Sequence, residues 1–138
     1  MFGGRTVLAF NGLRRGEVGG DTVMSFDAAT RFEFRGVRAL FTTTLGRPLG
    51  TLTAPTGTYR LSAGSFETRG RSIVASDTTR RRIEGVAVRY DVATNRLVSD
   101  SEFVATVGTR KLTGVGFSAD PGLFAVKCLK QCVGSLGP

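Results

Sequence analysis

Apolar residues recur with the same spacing twice within residues 52–103. Leu52 precedes Tyr59 by seven positions, and Ile83 precedes Tyr90 by seven. The apolar anchor of the returning strand, Phe66 or Leu97, again follows each tyrosine at seven positions, across a turn of mostly small and polar residues. A hairpin unit that repeats in this way is typical of an elongated β-structure, in which each unit packs its apolar face on the last.

Weaker copies of the unit precede and follow the central pair. Phe26 and Phe117 occupy the places of the tyrosines, so the markers are separated by 33, 31 and 27 residues. Each unit then holds about four short strands at ordinary strand and loop lengths. No 3.6-residue apolar period persists beyond about a turn. The pattern predicts one all-β domain over residues 1–126, clearest at 21–126, followed by a C-terminal tail, 127–138.

A sheet with one apolar face has three ways to bury that face. It closes into a barrel, stacks into a sandwich, or leaves a groove that another apolar group fills. The alternation of residues is compatible with all three. From the sequence alone, a closed core is slightly favoured over an open groove.

The charge indicates an anionic partner or surroundings. The net charge is +8 and the pI is about 10.7, which suits nucleic acid, phospholipid headgroups or a phosphorylated glycolipid. Arginines that protect strand edges and keep the surface soluble explain the charge equally well. The aromatic residues follow the apolar face, whereas Arg60, Arg69 and Arg89 fall between them, so stacking platforms for nucleic acid are not predicted. Nucleic acid is therefore not an expected partner.

Catalytic chemistry finds little support. The chain has no histidine, which excludes Ser–His–Asp and Cys–His arrangements and histidine metal ligands. Its aspartates fall mostly in turns, and its glycines form no phosphate-binding loop. We therefore expect no enzyme, cofactor or metal site. Cys128 and Cys132 are too few for a zinc site; a local bridge stays open, but an incidental spacing in a frayed tail is favoured.

Targeting signals are also not evident in the sequence. There is no run of about 20 apolar residues that could span a membrane, and residues 1–5 do not resemble the apolar core of a signal peptide. We expect a soluble domain that works in the cytoplasm, or whose targeting segment is missing from this sequence.

Three motifs in order carry a resemblance to a known family. They are L-T-A-x-x-G-x-Y from Leu52, I-E-x-x-x-x-x-Y-D-x-x-x-N-x-L-x-S-D from Ile83, and L-x-G-x-G-F-x-x-D-P from Leu112. The series resembles the periplasmic LptC proteins of lipopolysaccharide export, which group with LptA and the OstA-like domains. The resemblance implies a twisted, V-shaped β-jelly roll (a β-taco) whose apolar groove holds the acyl chains of lipopolysaccharide.

The resemblance also implies partners and a location. LptC proteins are periplasmic and associated with the inner membrane, where they receive lipid from an ABC transporter and pass it to LptA. The proteins join by edge-strand pairing, which also permits head-to-tail self-association. The family usually begins with a membrane-spanning helix or another export signal, which this sequence does not show; a truncated start or a soluble LptA-like member would explain this equally well. The tail after Val126 matches no motif, so we expect no regular strand there, and the strand that contacts the next protein would be altered or absent.

Candidate site residues follow from the family position and the alternation. The predicted groove residues are Met24, Phe26, Phe32, Phe34, Tyr59, Phe66, Ile73, Val86, Val88, Tyr90, Leu97, Phe103, Val115 and Phe117. Basic residues predicted at the rim, where they would meet lipid phosphates, are Arg80, Arg81, Arg82, Arg110 and Lys111, although solvated loop charge is the favoured interpretation of these five. Two other functions stay open: an adaptor β-domain that docks partners by strand addition without lipid, and, third, a basic nucleic-acid-binding β-domain.

Overall fold

The computed structural model describes residues 5–10 and 12–137, and only the backbone of Phe10; the expectations for residues 1–4 lie outside this part. Its strands are β1 (Arg5–Phe10), β2 (Leu13–Gly19), β3 (Thr22–Phe26), β4 (Arg31–Thr42), β5 (Pro48–Arg60), β6 (Ser65–Arg69), β7 (Ser72–Ala75), β8 (Arg81–Gly85), β9 (Arg89–Asp91), β10 (Arg96–Val107), β11 (Arg110–Ala119) and β12 (Val126–Gly134). All pairings between them are antiparallel. The predicted all-β fold of antiparallel hairpins is confirmed.

Three long strands divide the sheet into two leaves. Residues 31–35 of β4 lie between β3 and β5, whereas residues 38–41 lie between β2 and β5. Likewise, β5 pairs with β6 at its end and with β7 nearer its start, and β10 pairs first with β9 and then with β8. We call the sheet that contains β3, β6 and β9 the first leaf, and the sheet that contains β1, β2, β7 and β8 the second leaf. Strands β11 and β12 complete both.

Local backbone features lie where the chain crosses between the leaves. In β4, Gly36 has a φ of 67°, and it lies opposite Pro55 of β5. Gly70, with a φ of 84°, joins β6 to β7; a Cβ there would lie 2.9 Å from the Pro55 ring. Glycine adopts this left-handed backbone without the steric cost of a side chain. In β10 two residues, 100 and 101, lie opposite the single Gly116 of β11, and such bulges bend a strand.

The core lies between the facing surfaces of the two leaves. Phe34, Tyr59, Phe66, Val88, Tyr90, Leu97 and Phe117 are buried on the first leaf. Leu8, Val18, Phe41, Leu52, Val74, Ile83, Phe103, Ala105 and Leu112 are buried on the second. Two aromatic contacts join the leaves, Phe41 with Tyr90 at 4.6 Å and Phe103 with Phe117 at 5.2 Å between ring centroids. The repeated tyrosine hairpins of the sequence therefore build one side of a shared interior.

The C-terminal segment corrects two expectations. Residues 126–134 form β12, which pairs with β11 from Val126 opposite Ala119 to Gly134 opposite Leu112. Cys128 and Cys132 form a disulfide with their Cα atoms 6.0 Å apart. The expectations of no regular strand and of an incidental cysteine pair were both wrong. An extended strand places such residues about 13 Å apart, so the bond requires a bend in β12. Residues 131 and 132 lie opposite the single Gly114 of β11, and Gln131 has a φ of 52°.

Candidate functional site

One row of side chains runs across the inner face of the first leaf. Residues that pair across antiparallel strands share a face, and the pairings place six residues side by side, each on the next strand: Ser25, Phe32, Tyr59, Phe66, Tyr90 and Leu97. Ser25 is exposed, Phe32 is half-buried and the other four are buried. The row therefore leads from β3, the outermost described strand of this leaf, into the core.

A cavity of about 580 Å³ lies beside β3, between this strand and β1. We call it the mouth; its lining residues are Arg5, Thr6, Val23, Met24, Ser25, Phe26 and Phe32. Phe32 belongs to the row, so the mouth adjoins the apolar interior. A second hollow of about 600 Å³ includes Glu17, Asp21 and Arg38 in its lining, and its charged wall does not suit an apolar ligand. The mouth is the better candidate for binding apolar groups.

Polar groups accompany the aromatic residues deeper in the row. The Tyr90 hydroxyl donates a hydrogen bond of 2.6 Å to Asn95 Oδ1. Burial raises the pKa of Tyr90, and the Arg15 charge acts in the opposite direction. Burial also raises the pKa of Tyr59. Both phenols therefore stay neutral at physiological pH and keep a proton that can be donated in a hydrogen bond.

Eight of the predicted groove residues lie on the apolar interior, all of them buried: Phe34, Tyr59, Phe66, Val88, Tyr90, Leu97, Phe103 and Phe117. Phe32 is half-buried at the mouth. The structure thus brings together the members that occupy the long alternating strands. Whether these residues contact lipid stays a prediction.

The sequence predicted that Met24 and Phe26 share the inner face with Phe32 and Phe34. The structure places Met24 and Phe26 on the other face of the sheet. Met24 pairs with Glu33 and Phe26 with Arg31, and the Arg31 guanidinium lies 4.8 Å from the Phe26 ring centroid on the outer face. The physical reason for this position is the length of the turn at residues 27–30, which pairs even-numbered residues of β3 with odd-numbered residues of β4. Paired residues share a face, so Met24 and Phe26 cannot share one with Phe32 and Phe34. Val23 and Ser25 are the inward residues of β3.

Three other predicted groove residues also lie outside the interior. Ile73 pairs with Glu84 on the outer face, while the next residue, Val74, is buried. Val86 is 59% exposed in the break between β8 and β9. Val115 pairs with Glu102 and Lys130 beside the bulge in β10. In each case the strand bends or breaks between the leaves, and the phase of the alternation differs from that in the predicted continuous strand.

The predicted rim arginines lie on two neighbouring turns of the second leaf. Arg81 and Arg110 both pair with Val107, one on each side of β10. Arg81 donates hydrogen bonds of 3.2 Å to the carbonyls of Leu123 and Phe124. Leu123 is fully buried. The two hydrogen bonds therefore hold the β11–β12 loop against β8, the strand that contains Arg81. Arg82 lies 3.7 Å from the Glu84 carboxylate, while Arg80, Arg110 and Lys111 are exposed.

Other features bear on the kind of site. Within residues 5–10 and 12–137 no cluster of three or more His, Cys, Asp and Glu side chains could hold a metal ion. The same part of the chain contains no helix long and apolar enough to cross a bilayer.

Sequence reasoning missed Val23, Ser25 and Arg15. The length of the β3–β4 turn could have indicated that Val23 and Ser25 point inwards. The position of Arg15 depends on the bulge in β2, which the local sequence does not predict.

Comparison with known proteins shows the fold. No protein-family model and no curated protein sequence matches the chain. Among solved structures, the chain is similar to LptH from Pseudomonas aeruginosa, described as the LptA homologous periplasmic component of the conserved lipopolysaccharide transport device. The TM-score is 0.66 at 16% sequence identity, over 88% of this chain and 94% of that chain. The predicted LptA-like β-jelly roll is therefore confirmed.

Proposed function

We propose that the chain is a non-catalytic, lipopolysaccharide-binding component of a periplasmic lipid-transport bridge. The mouth carries the proposal, since it lies between the outermost described strands, β1 and β3, and adjoins a row of aromatic residues that continues into the core. The similarity to LptH in fold supports it. In this role the acyl chains enter between the leaves and pass along the row, and no bond is made or broken.

The physical basis of binding is the transfer of acyl chains from water. Each buried methylene contributes ~0.8 kcal/mol, so a chain of twelve contributes ~10 kcal/mol when fully buried. Behind the mouth, however, Phe41 and Tyr90 are in contact and the interior is packed. Lipid that travels beyond Phe32 must therefore separate the leaves, and the contacts that it displaces offset part of the gain.

The two ends of the sheet suit a head-to-tail chain of proteins. β1 and β3 are the outermost described strands at one end of the sheet, and β12 is the outermost at the other. Free edges accept further strands by β-augmentation, so we propose that the chain pairs with LptA-like proteins, with further copies of itself, or with an inner-membrane ABC transporter complex, the last in an LptC-like role. A periplasmic location agrees with the disulfide, which forms in oxidising compartments.

A second candidate function is an adaptor that docks partners by strand addition and carries no lipid. The packed interior favours this candidate, because a filled core needs no ligand. The same outermost strands would serve it. The two candidates therefore differ in what occupies the mouth.

Photocrosslinking to lipopolysaccharide tests the proposal. A benzophenone amino acid at Phe32 lies at the mouth, and the same probe at Arg35 lies on the outer face of the same strand. We expect crosslinks from position 32 and none from position 35. Equal crosslinking from both, or none from either in a protein shown to be folded, would contradict lipid entry at the mouth and favour the adaptor.

A further inference from the structure

Arg15 occupies a β-bulge in β2. Leu8 of β1 pairs with Gly16 and Ala9 pairs with Arg14, so Arg15 is the extra residue in the ladder. A bulge re-aims a side chain relative to the regular alternation. Arg15 is accordingly half-buried in a strand of the second leaf, next to Gly16, whose partner Phe41 contacts Tyr90 of the first leaf.

Arg15 lacks the ionic partner that its neighbour has. Arg14 lies 3.1 Å from the Glu17 carboxylate, and Arg5 approaches the same carboxylate at 3.4 Å. Within the part of the chain that the structure describes, Arg15 forms no ion pair, and its Nε atom is buried without a hydrogen-bond partner. A buried, unpaired guanidinium nitrogen is costly, and an anionic ligand would remove that cost.

Neighbouring groups offer a matching environment. Tyr59 pairs with Phe32, which lines the mouth, and its hydroxyl makes no hydrogen bond to another described residue. Tyr59 and Tyr90 lie on the two sides of Phe66 in the row. A cation and a phenolic donor thus lie one strand from an apolar cavity, an arrangement that suits a molecule with an anionic head and an apolar chain.

We propose that Arg15 binds the anionic head, a phosphate or carboxylate group, of an amphiphile whose chain lies between the leaves. This rests on the proposed function and adds the residue that selects for charge. The guanidinium donates hydrogen bonds to the anionic oxygens, and the Tyr59 hydroxyl donates another. The site is distinct from the predicted rim arginines at residues 80–82.

Calorimetric titration with dodecyl phosphate, dodecyl maltoside and inorganic phosphate tests the inference. Arg15→Gln should weaken dodecyl phosphate binding about 10- to 100-fold, as expected for loss of a charged hydrogen bond. Arg14→Gln removes the same charge one residue away and should change the affinity less than about twofold, as for an exposed charge. Dodecyl maltoside, which is neutral, should bind all three proteins alike. If inorganic phosphate binds as tightly as dodecyl phosphate and this binding depends on Arg15, the proposal that the ligand is an amphiphile is overturned. The site would then bind free anions.

The outcomes separate this inference from the proposed function. If the wild type binds neither amphiphile, the proposed function fails. If it binds dodecyl phosphate and Arg15→Gln binds it equally, only the role of Arg15 fails. As a check that needs no variant, the Arg15 Nε–H resonance of the wild type should shift with dodecyl phosphate and stay in place with dodecyl maltoside. An unmoved resonance with both would overturn the inference even if Arg15→Gln failed to fold.

Discussion

Phe41 and Tyr90 lie on opposite leaves with their ring centroids 4.6 Å apart. Phe41 pairs with Gly16 and Gly50 on the second leaf, and Tyr90 pairs with Phe66 and Leu97 on the first. Glycines beside Phe41 leave room for its ring to reach across the interior. Tyr90 belongs to the row that begins at the mouth, so this contact joins the two leaves further along that row. An apolar ligand that moves along the row must break the contact, which stabilises the packed state.

Phe41→Ala should destabilise the fold by about 3–5 kcal/mol, the range for removing a buried aromatic ring. Urea denaturation followed by circular dichroism measures the change. Phe26→Ala is a matched control, because Phe26 lies on the outer face and is 36% exposed; its cost should stay below about 1 kcal/mol. Similar losses in both variants would contradict the closed interior at Phe41.

The Tyr90 hydroxyl makes stability depend on pH in the alkaline range. Its pKa in the folded protein is raised above the ordinary value of 10.0 by burial, so the folded state holds the proton where the unfolded chain has lost it. The stabilisation is present below pH 10 and is lost as the pH rises above 10 towards the folded pKa. Wild-type stability should therefore fall more steeply than that of Tyr90→Phe above pH 10.

Denaturant titrations at pH 8 and pH 11 compare the two proteins. At pH 8 the variant should be less stable by about 1 kcal/mol, since it loses the hydrogen bond to Asn95. At pH 11 the difference should shrink or reverse. Parallel losses in the two proteins would show that other groups, such as Tyr59, determine the alkaline transition.

The Cys128–Cys132 disulfide should stabilise the C-terminal edge. It closes a loop with a sequence separation of four, and the chain-entropy model gives about 2 kcal/mol for so short a loop. Urea denaturation of the protein with and without dithiothreitol measures this contribution. The double variant Cys128→Ala/Cys132→Ala should match the reduced wild type and show no response to dithiothreitol. Unchanged stability on reduction would indicate that β12 bends without the bond.

The position of the aromatic row was predictable where strands are regular. Tyr59, Phe66 and Tyr90 are spaced so that the turns between their strands leave them side by side, and the family motif at Ile83 includes Asn95, which accepts the Tyr90 hydrogen bond. The exposed position of Phe26 was not predictable from alternation alone, since it depends on the number of residues in one turn. The same holds for Val86 and Ile73, which flank crossings between the leaves.

By itself the sequence determined the all-β class, the repeated hairpins and the inward position of eight of the fourteen predicted groove residues. These follow from a period of two and from turn residues, which are local properties of the chain. Only the tertiary structure decided the phase of the strands beyond each bend, the bond between Cys128 and Cys132, and the position of Arg15 near Tyr90. Each of these depends on which residues of distant strands lie opposite one another, and local alternation carries no information about that.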